Sequence, residues 1–248
     1  MTLQLNLQKA ARTLRVSLDK AGVAPDVKAE LIFDMDVSGS FFHEHEEGTT
    51  SKLIARLVPY GMELDPDGQI DVFTFSDGRH NVHYVGTVTP EDCDNYIVRK
   101  VVGRVPGWNG GTDYSYVLER NLQHFGWLPT SEGGGFLSRF LGRPKAPEFK
   151  ARKRSIVIFV TDGENSTYDH VRAARILEES EQRGDQVYFL FVGACEHEVD
   201  FGFIRTVAER YKNTGVVIIR DLDAFVELSD EQLNAQLLGP ELIAWLKA

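Results

Sequence analysis

The sequence predicts a doubly wound α/β domain, with a mostly parallel central sheet and helices on both faces, and three observations predict it. Ser155–Thr161 (SIVIFVT) and Gln186–Val192 (QVYFLFV) are continuous apolar runs, the pattern of parallel strands buried on both faces. Segments of helical period separate the strand-like runs, which argues for a covered parallel sheet. The chain has 248 residues, 42% of them hydrophobic, enough for a sizeable core in one unit.

In chain order, the first predicted strand is Ala29–Met35 (AELIFDM), apolar and ending in a polar turn. Lys52–Glu63 spaces Leu53, Ile54, Leu57, Val58 and Met62 as an amphipathic helix, weakened at its end by Pro59 and Gly61. Asp65-Pro66-Asp67-Gly68 is a turn signal, and Gln69–Phe75 after it reads as a strand. Val82–Val85 is a short strand, and Pro90–Val101 a helix with Thr89 as N-cap. Asp113–Phe125 is a helix opened by Gly110-Gly111-Thr112. After the Ser155–Thr161 strand, Tyr168–Arg183 reads as a helix. After Gln186–Val192 come a helix at Phe201–Tyr211, a strand at Val216–Ile219 and a final helix at Asp230–Lys247. No element is predicted before Ala29. The expected organisation is a single domain, 1–248, with a mobile, basic, Gly/Pro-rich insertion at about 126–154.

The formal net charge of −10 sets the chain against nucleic acid and anionic membranes and favours cations and basic partners. No apolar run is long enough to span a bilayer, and Met1–Val16 lacks the pattern of a secretory signal. The two cysteines, Cys93 and Cys195, do not make a disulfide framework. A reduced, cytoplasmic protein is the expectation, with a single Cys93–Cys195 bridge as the alternative. Basic residues gather at Arg139, Arg143, Lys145, Lys150, Arg152, Lys153 and Arg154. That stretch reads as a solvated loop or as a dock for an acidic partner, a nucleotide or nucleic acid, with few aromatics to stack bases.

Three short segments carry chemistry. Asp36-Val37-Ser38-Gly39-Ser40 follows the first strand and can aim one carboxylate and two hydroxyls at one point. Asn109-Gly110-Gly111-Thr112-Asp113 is a loop whose glycines allow close backbone approach and which presents Thr112 at a helix start. Thr161-Asp162-Gly163-Glu164 ends the strongest strand. Each alone is an ordinary turn or cap. Together they supply oxygen ligands for one hard divalent cation, with magnesium expected first and calcium or manganese also suited. In a parallel sheet, the carboxyl ends of the strands are where ligands bind.

The order Asp-x-Ser-x-Ser, Thr, Asp resembles the metal-ion-dependent adhesion site of the von Willebrand factor A family. The resemblance implies that Ser38, Ser40 and Thr112 bind the ion directly. It implies that Asp36 and Asp162 bind it directly or through water, and that a protein partner completes the shell with a carboxylate. Further segments are similar to the tellurium-resistance and stress-response subgroup of these domains. They are Val16–Gly22, Leu64–Val72, Phe189–Gly193 and Arg220–Asp223, so the likeness covers nearly all of the chain from Val16. That subgroup implies a bacterial, cytoplasmic, non-enzymatic binding module, and leaves partner and oligomeric state open.

Asp34 departs from the family pattern, which has an apolar residue there. Two residues from Asp36 on a strand, it shares that side chain's face. It reads either as a group orienting a metal ligand or as a protonated or hydrogen-bonded core carboxyl. Asp113, Glu164 and Trp108 are candidates for the rim or outer shell of the site, Trp108 equally for the core. His43 and His45, in HEHEE, are candidate ligands for a second metal or simply part of a charged loop.

An alternative of another class is a magnesium-dependent phosphohydrolase resembling the haloacid dehalogenases, with Asp34 as nucleophile and Asp36 as acid/base. It explains Asp34. It leaves Ser40 and Gly110-Gly111-Thr112 without a role, and it needs a lysine, for which Lys153 is the candidate, ahead of Asp162 and Asp169.

Overall fold

The computed structural model describes residues 3–130, 151–195 and 199–248. Six strands form one sheet in the order β3-β2-β1-β4-β5-β6. They are β1 Glu30–Asp36, β2 Ile70–Phe75, β3 His83–Val88, β4 Ser155–Thr161, β5 Val187–Ala194 and β6 Thr214–Ile219. All neighbours are parallel except β3, which runs antiparallel along β2 at the edge, with a register shift at Val72/Phe73. The doubly wound α/β fold expected from the sequence is therefore observed.

Alternate residues of β1 divide the core in two. Leu31, Phe33 and Met35 face one layer, with Ile156, Ile158 and Tyr188. That layer is covered by α1 Leu3–Lys20, α3 Thr49–Leu64, α9 Asp230–Leu237 and α10 Pro240–Lys247, preceded by the short α2 Phe42–Glu46, α4 Tyr96–Lys100 and α8 Leu222–Val226. Ile32 faces the other layer, with Phe73, Phe75, Val157 and Phe159, under α5 Ser115–His124, α6 Thr167–Arg183 and α7 Gly202–Arg210. Cys93 belongs to the first layer and Cys195 packs against the second, so the sheet separates them and they form no bridge with each other.

Several boundaries differ from the predicted ones, each for a local reason. Residues 3–20 form an unpredicted helix, whose Leu7, Ala11, Leu14 and Leu18 lie on one buried face. The helix expected over 90–101 is only Tyr96–Lys100. Before it, Asp92 Oδ1 accepts from Thr89 N (2.8 Å) and Asn95 has φ +50°, so a side-chain turn replaces the helix. α3 continues through Pro59 to Leu64, because Pro59 and Tyr60 are buried and packing offsets the lost hydrogen bond. The final helix is two helices, broken at Gly239-Pro240.

Most of the predicted 126–154 insertion, 131–150, lies outside the described residues. Its roots are tied together at the amino end of β4. There Lys153 N donates to Phe125 O (3.1 Å), and Trp127 Nε1 donates to Lys153 O (2.9 Å).

Candidate metal centre

Strand order reverses between β1 and β4, which opens a crevice at their carboxyl ends. Asp36 is the last residue of β1, and Asp162 follows the last residue of β4. Asp36 Oδ1 accepts from Ser38 N (2.9 Å), which closes the turn. The turn brings both serine hydroxyls to Asp162 Oδ1, Ser40 Oγ at 3.0 Å and Ser38 Oγ at 3.4 Å, with 3.3 Å between the two hydroxyls. Asp36 and Asp162 form a buried floor, and Ser40 is exposed at the rim.

Thr112 arrives on the glycine loop. Ser38 and Gly110 pair as a parallel bridge, with Gly39 N donating to Gly110 O (3.0 Å) and Asn109 N to Val37 O (2.9 Å). A Cβ on Gly110 would lie 2.6 Å from Asp77 Oδ1 and 2.9 Å from Gly107 O, so only glycine fits this approach. Thr112 is half-buried, and its carbonyl accepts from Ser166 N (3.0 Å) in the connection after β4.

The chemistry of this donor set suits a cation. Burial first, then the nearby Asp162 carboxylate, pushes Asp36 up to about 7, despite the Thr161 hydrogen bond. Burial also lifts Asp162 to about 6, helped by the Glu44 charge and opposed by the Ser40 hydroxyl. Two buried acids in mutual repulsion, surrounded by neutral hydroxyls, are what a divalent ion relieves.

The other predicted residues divide. Asp34 is completely buried, with Oδ2 accepting from Asn121 Nδ2 (2.5 Å) and Oδ1 without a partner. Burial holds its carboxyl well above the usual range. Its hydrogen bond goes to α5, not to Asp36. Asp113 does not turn to the ligands. Its oxygens accept from Gly78 N (3.0 Å) and Ser166 Oγ (2.6 Å). Glu164 accepts from Phe203 N at the start of α7 (3.3 Å). Trp108 is half-buried against His45 and Phe42, with ring centroids 5.4 and 6.1 Å away.

Of the two candidate second-metal ligands, His43 and His45, the second is already engaged within the fold. His45 is fully buried, and both ring nitrogens are engaged. Nε2 lies 2.9 Å from the Asp36 carbonyl, which only accepts, so Nε2 carries the proton; Nδ1 then accepts from Thr50 Oγ1 (2.9 Å). Burial lowers this imidazole to about 4, so it is neutral. No cluster of three His, Cys, Asp or Glu ligands exists among the described residues. His43 instead lines a cleft of about 460 Å³ with Ser40, Glu44, Glu47, Asp162 and Asp223.

The phosphohydrolase alternative meets three obstacles. Asp34 is sealed from substrate. Lys153 pairs with Glu30 (2.8 Å) at the amino ends of the strands, the opposite edge of the sheet. Asp169 is occupied at the start of α5.

The sequence motifs did not point to Thr161, whose hydroxyl donates to Asp36 Oδ2 (2.6 Å), or to Tyr114, which donates to Thr161 Oγ1 (3.3 Å) and to the Gly163 carbonyl. Thr161 is the last residue of β4, and alternation with Val157 and Phe159 places it on the face of Asp36. Tyr114 carries no such signal.

In sequence, the chain matches no family model and no curated protein. Among solved structures it is similar to two crystal forms of proximal thread matrix protein 1 from the mussel byssus. The TM-score is 0.51 in each, at 20% and 18% identity over 82% and 84% of this chain. The chain spans 47% and 48% of that protein, about half its length. It is also similar to manganese-loaded TRAP protein of Plasmodium vivax, with a TM-score of 0.46 and 16% identity over 88% of this chain and 75% of that one. The chain shares its α/β fold with the mussel protein over most of its own length.

Proposed function

We propose that this chain is a protein-interaction module whose contact depends on one divalent cation, magnesium first. Ser38, Ser40 and Thr112 would hold the cation directly, with Asp36 and Asp162 binding it or its waters. The observation that carries the reading is the approach of Ser38 Oγ and Ser40 Oγ to Asp162 Oδ1 across the β1/β4 crevice. Neutral hydroxyls and few anions leave such an ion electron-poor, so it accepts a carboxylate from a partner. The role is recognition, not turnover. The subgroup similarity from Val16 onward supports a setting in the bacterial cytoplasm, in a response to tellurite, metals or general stress.

Calorimetric titration of chelator-treated protein with magnesium, manganese and calcium tests the reading. One ion per chain is expected, lost in Asp36→Ala and measurably weakened in Thr112→Ala. Binding that survives both substitutions would overturn this ligand set.

A further inference from the structure

We infer that Asp169, in the first turn of α6, is a positioning residue that holds Thr112 against the Asp162 side of the centre. The inference rests on the metal-centre reading and goes beyond its ligand set.

The helix α5 begins three residues after Thr112, and its own N-cap residue, Tyr114, makes no side-chain cap. The cap comes from another element. Asp169 Oδ2 accepts from Tyr114 N (2.7 Å) and Ser115 N (3.0 Å), the first free amides of α5. The same oxygen accepts from Asn165 Nδ2 (2.9 Å). One buried carboxylate oxygen thus joins the loop that carries Thr112 to the connection that starts at Asp162.

Neighbouring bonds run in the same direction. Ser166 N donates to Thr112 O (3.0 Å), Ser166 Oγ to Asp113 Oδ1 (2.6 Å), and Arg172 to Ser115 Oγ (2.6 Å). Four consecutive residues, 112–115, therefore each make a hydrogen bond to residues 165–172. Asp169 supplies the only carboxylate among these contacts that meets two backbone amides, and charge-assisted bonds are the strong ones. Its 6% exposure leaves little water to replace it. Without it, Thr112 keeps its hydroxyl but loses its fixed distance from Asp162.

A double-mutant cycle on the full chain tests this, with manganese and magnesium affinity read by calorimetry and folding by circular dichroism. Asp169→Ala is expected to weaken binding about 10- to 100-fold, the usual range for residues that orient metal ligands. In a Thr112→Ala background the same change is expected to have little further effect, because the residue it acts through is gone. Asp169→Asn is expected to recover most of the affinity. Its amide oxygen can stand in for Oδ2 and accept from the same two backbone amides and from Asn165 Nδ2. Ile176→Val, in the same helix but away from the loop, controls for loss of stability and is expected to bind as wild type. Unchanged affinity in Asp169→Ala, or an equal loss in both backgrounds, overturns the positioning role. Wild-type protein that binds no ion overturns the metal-centre reading and this inference with it.

Discussion

At the residue scale, each buried carboxyl near the crevice has a different use. Asp34 Oδ1 and Asn121 Oδ1 are both buried and both lack partners, beside the bond that joins the same two side chains. A proton on Asp34 satisfies both, since a carboxylic acid and an amide then exchange two hydrogen bonds. Asp34→Leu alone should cost about 1–3 kcal/mol by stranding Asn121. Adding Asn121→Leu should recover much of that loss in urea unfolding, because no buried polar group is then left unpaired. Asp34→Asn should leave cation affinity unchanged, and a loss there would restore its role as an orienting group. Asp36 titrates with the opposite consequence for function. Its folded value of about 7 lies above the ordinary 3.8, so the ion-free fold takes up a proton as pH falls and gains stability. Between pH 8 and 6.5 this amounts to about 1 kcal/mol from Asp36. Asp36→Asn should remove that increment in chelator, while Asp65, also raised to about 7, leaves a residual slope. Below pH 6.5 the sign reverses for His45, held down to about 4, because the unfolded chain binds its proton first.

At the element scale, what the sequence revealed depended on whether a signal was local. β4 and β5 are continuous apolar runs, and their burial on both faces left no other reading. The register of β1 against β4 then follows from the fold, and it is this register that sets Asp36 beside Thr161 and Asp162. α1 had a period to read, Leu7, Ala11, Leu14 and Leu18, but a mean hydropathy too low to stand out beside the strands. The break at Gly239-Pro240 was written plainly in the sequence, and a proline one residue inside a helix marks a start, not an interior. The trans-capping of α5 by Asp169 was not readable, because its partners lie more than fifty residues apart and share no local pattern. The glycine loop was readable in kind but not in partner. What it approaches proves to be the Ser38 backbone on one side and the Ser76 and Asp77 side chains on the other. Gly110→Ala should therefore destabilise the fold by about 1–3 kcal/mol through overpacking. It should also weaken cation binding, since relieving the clash with Asp77 and Gly107 moves the loop that pairs with Ser38 and carries Thr112. An alanine variant with unchanged urea midpoint and unchanged affinity would show that the approach is not required.

At the scale of the whole molecule, the centre is a junction between two halves of the sheet. Asp36 ends β1 and the serines follow it, Asp162 follows β4, and Thr112 lies in the loop before α5. No one element carries the set, so the ligands are organised only when β1, β4 and the glycine loop are packed together. An ion that binds there binds the native chain and has no matching site in the unfolded chain, and its binding free energy becomes folding stability. At a hundred times its dissociation constant the ion should add about 2.7 kcal/mol. For a chain of this length that corresponds to a rise in Tm of roughly 5–10 °C. The rise should be larger at pH 8 than at pH 6, because Asp36 must lose its proton to bind, and the ion competes with that proton. Chelator should reverse it, and Asp162→Ala should abolish it at both pH values. Scanning calorimetry with magnesium at the two pH values separates the possibilities. A Tm that rises equally at both, or in Asp162→Ala as well, would mean that the stabilising ion sits elsewhere on this acidic surface, outside the β1/β4 crevice.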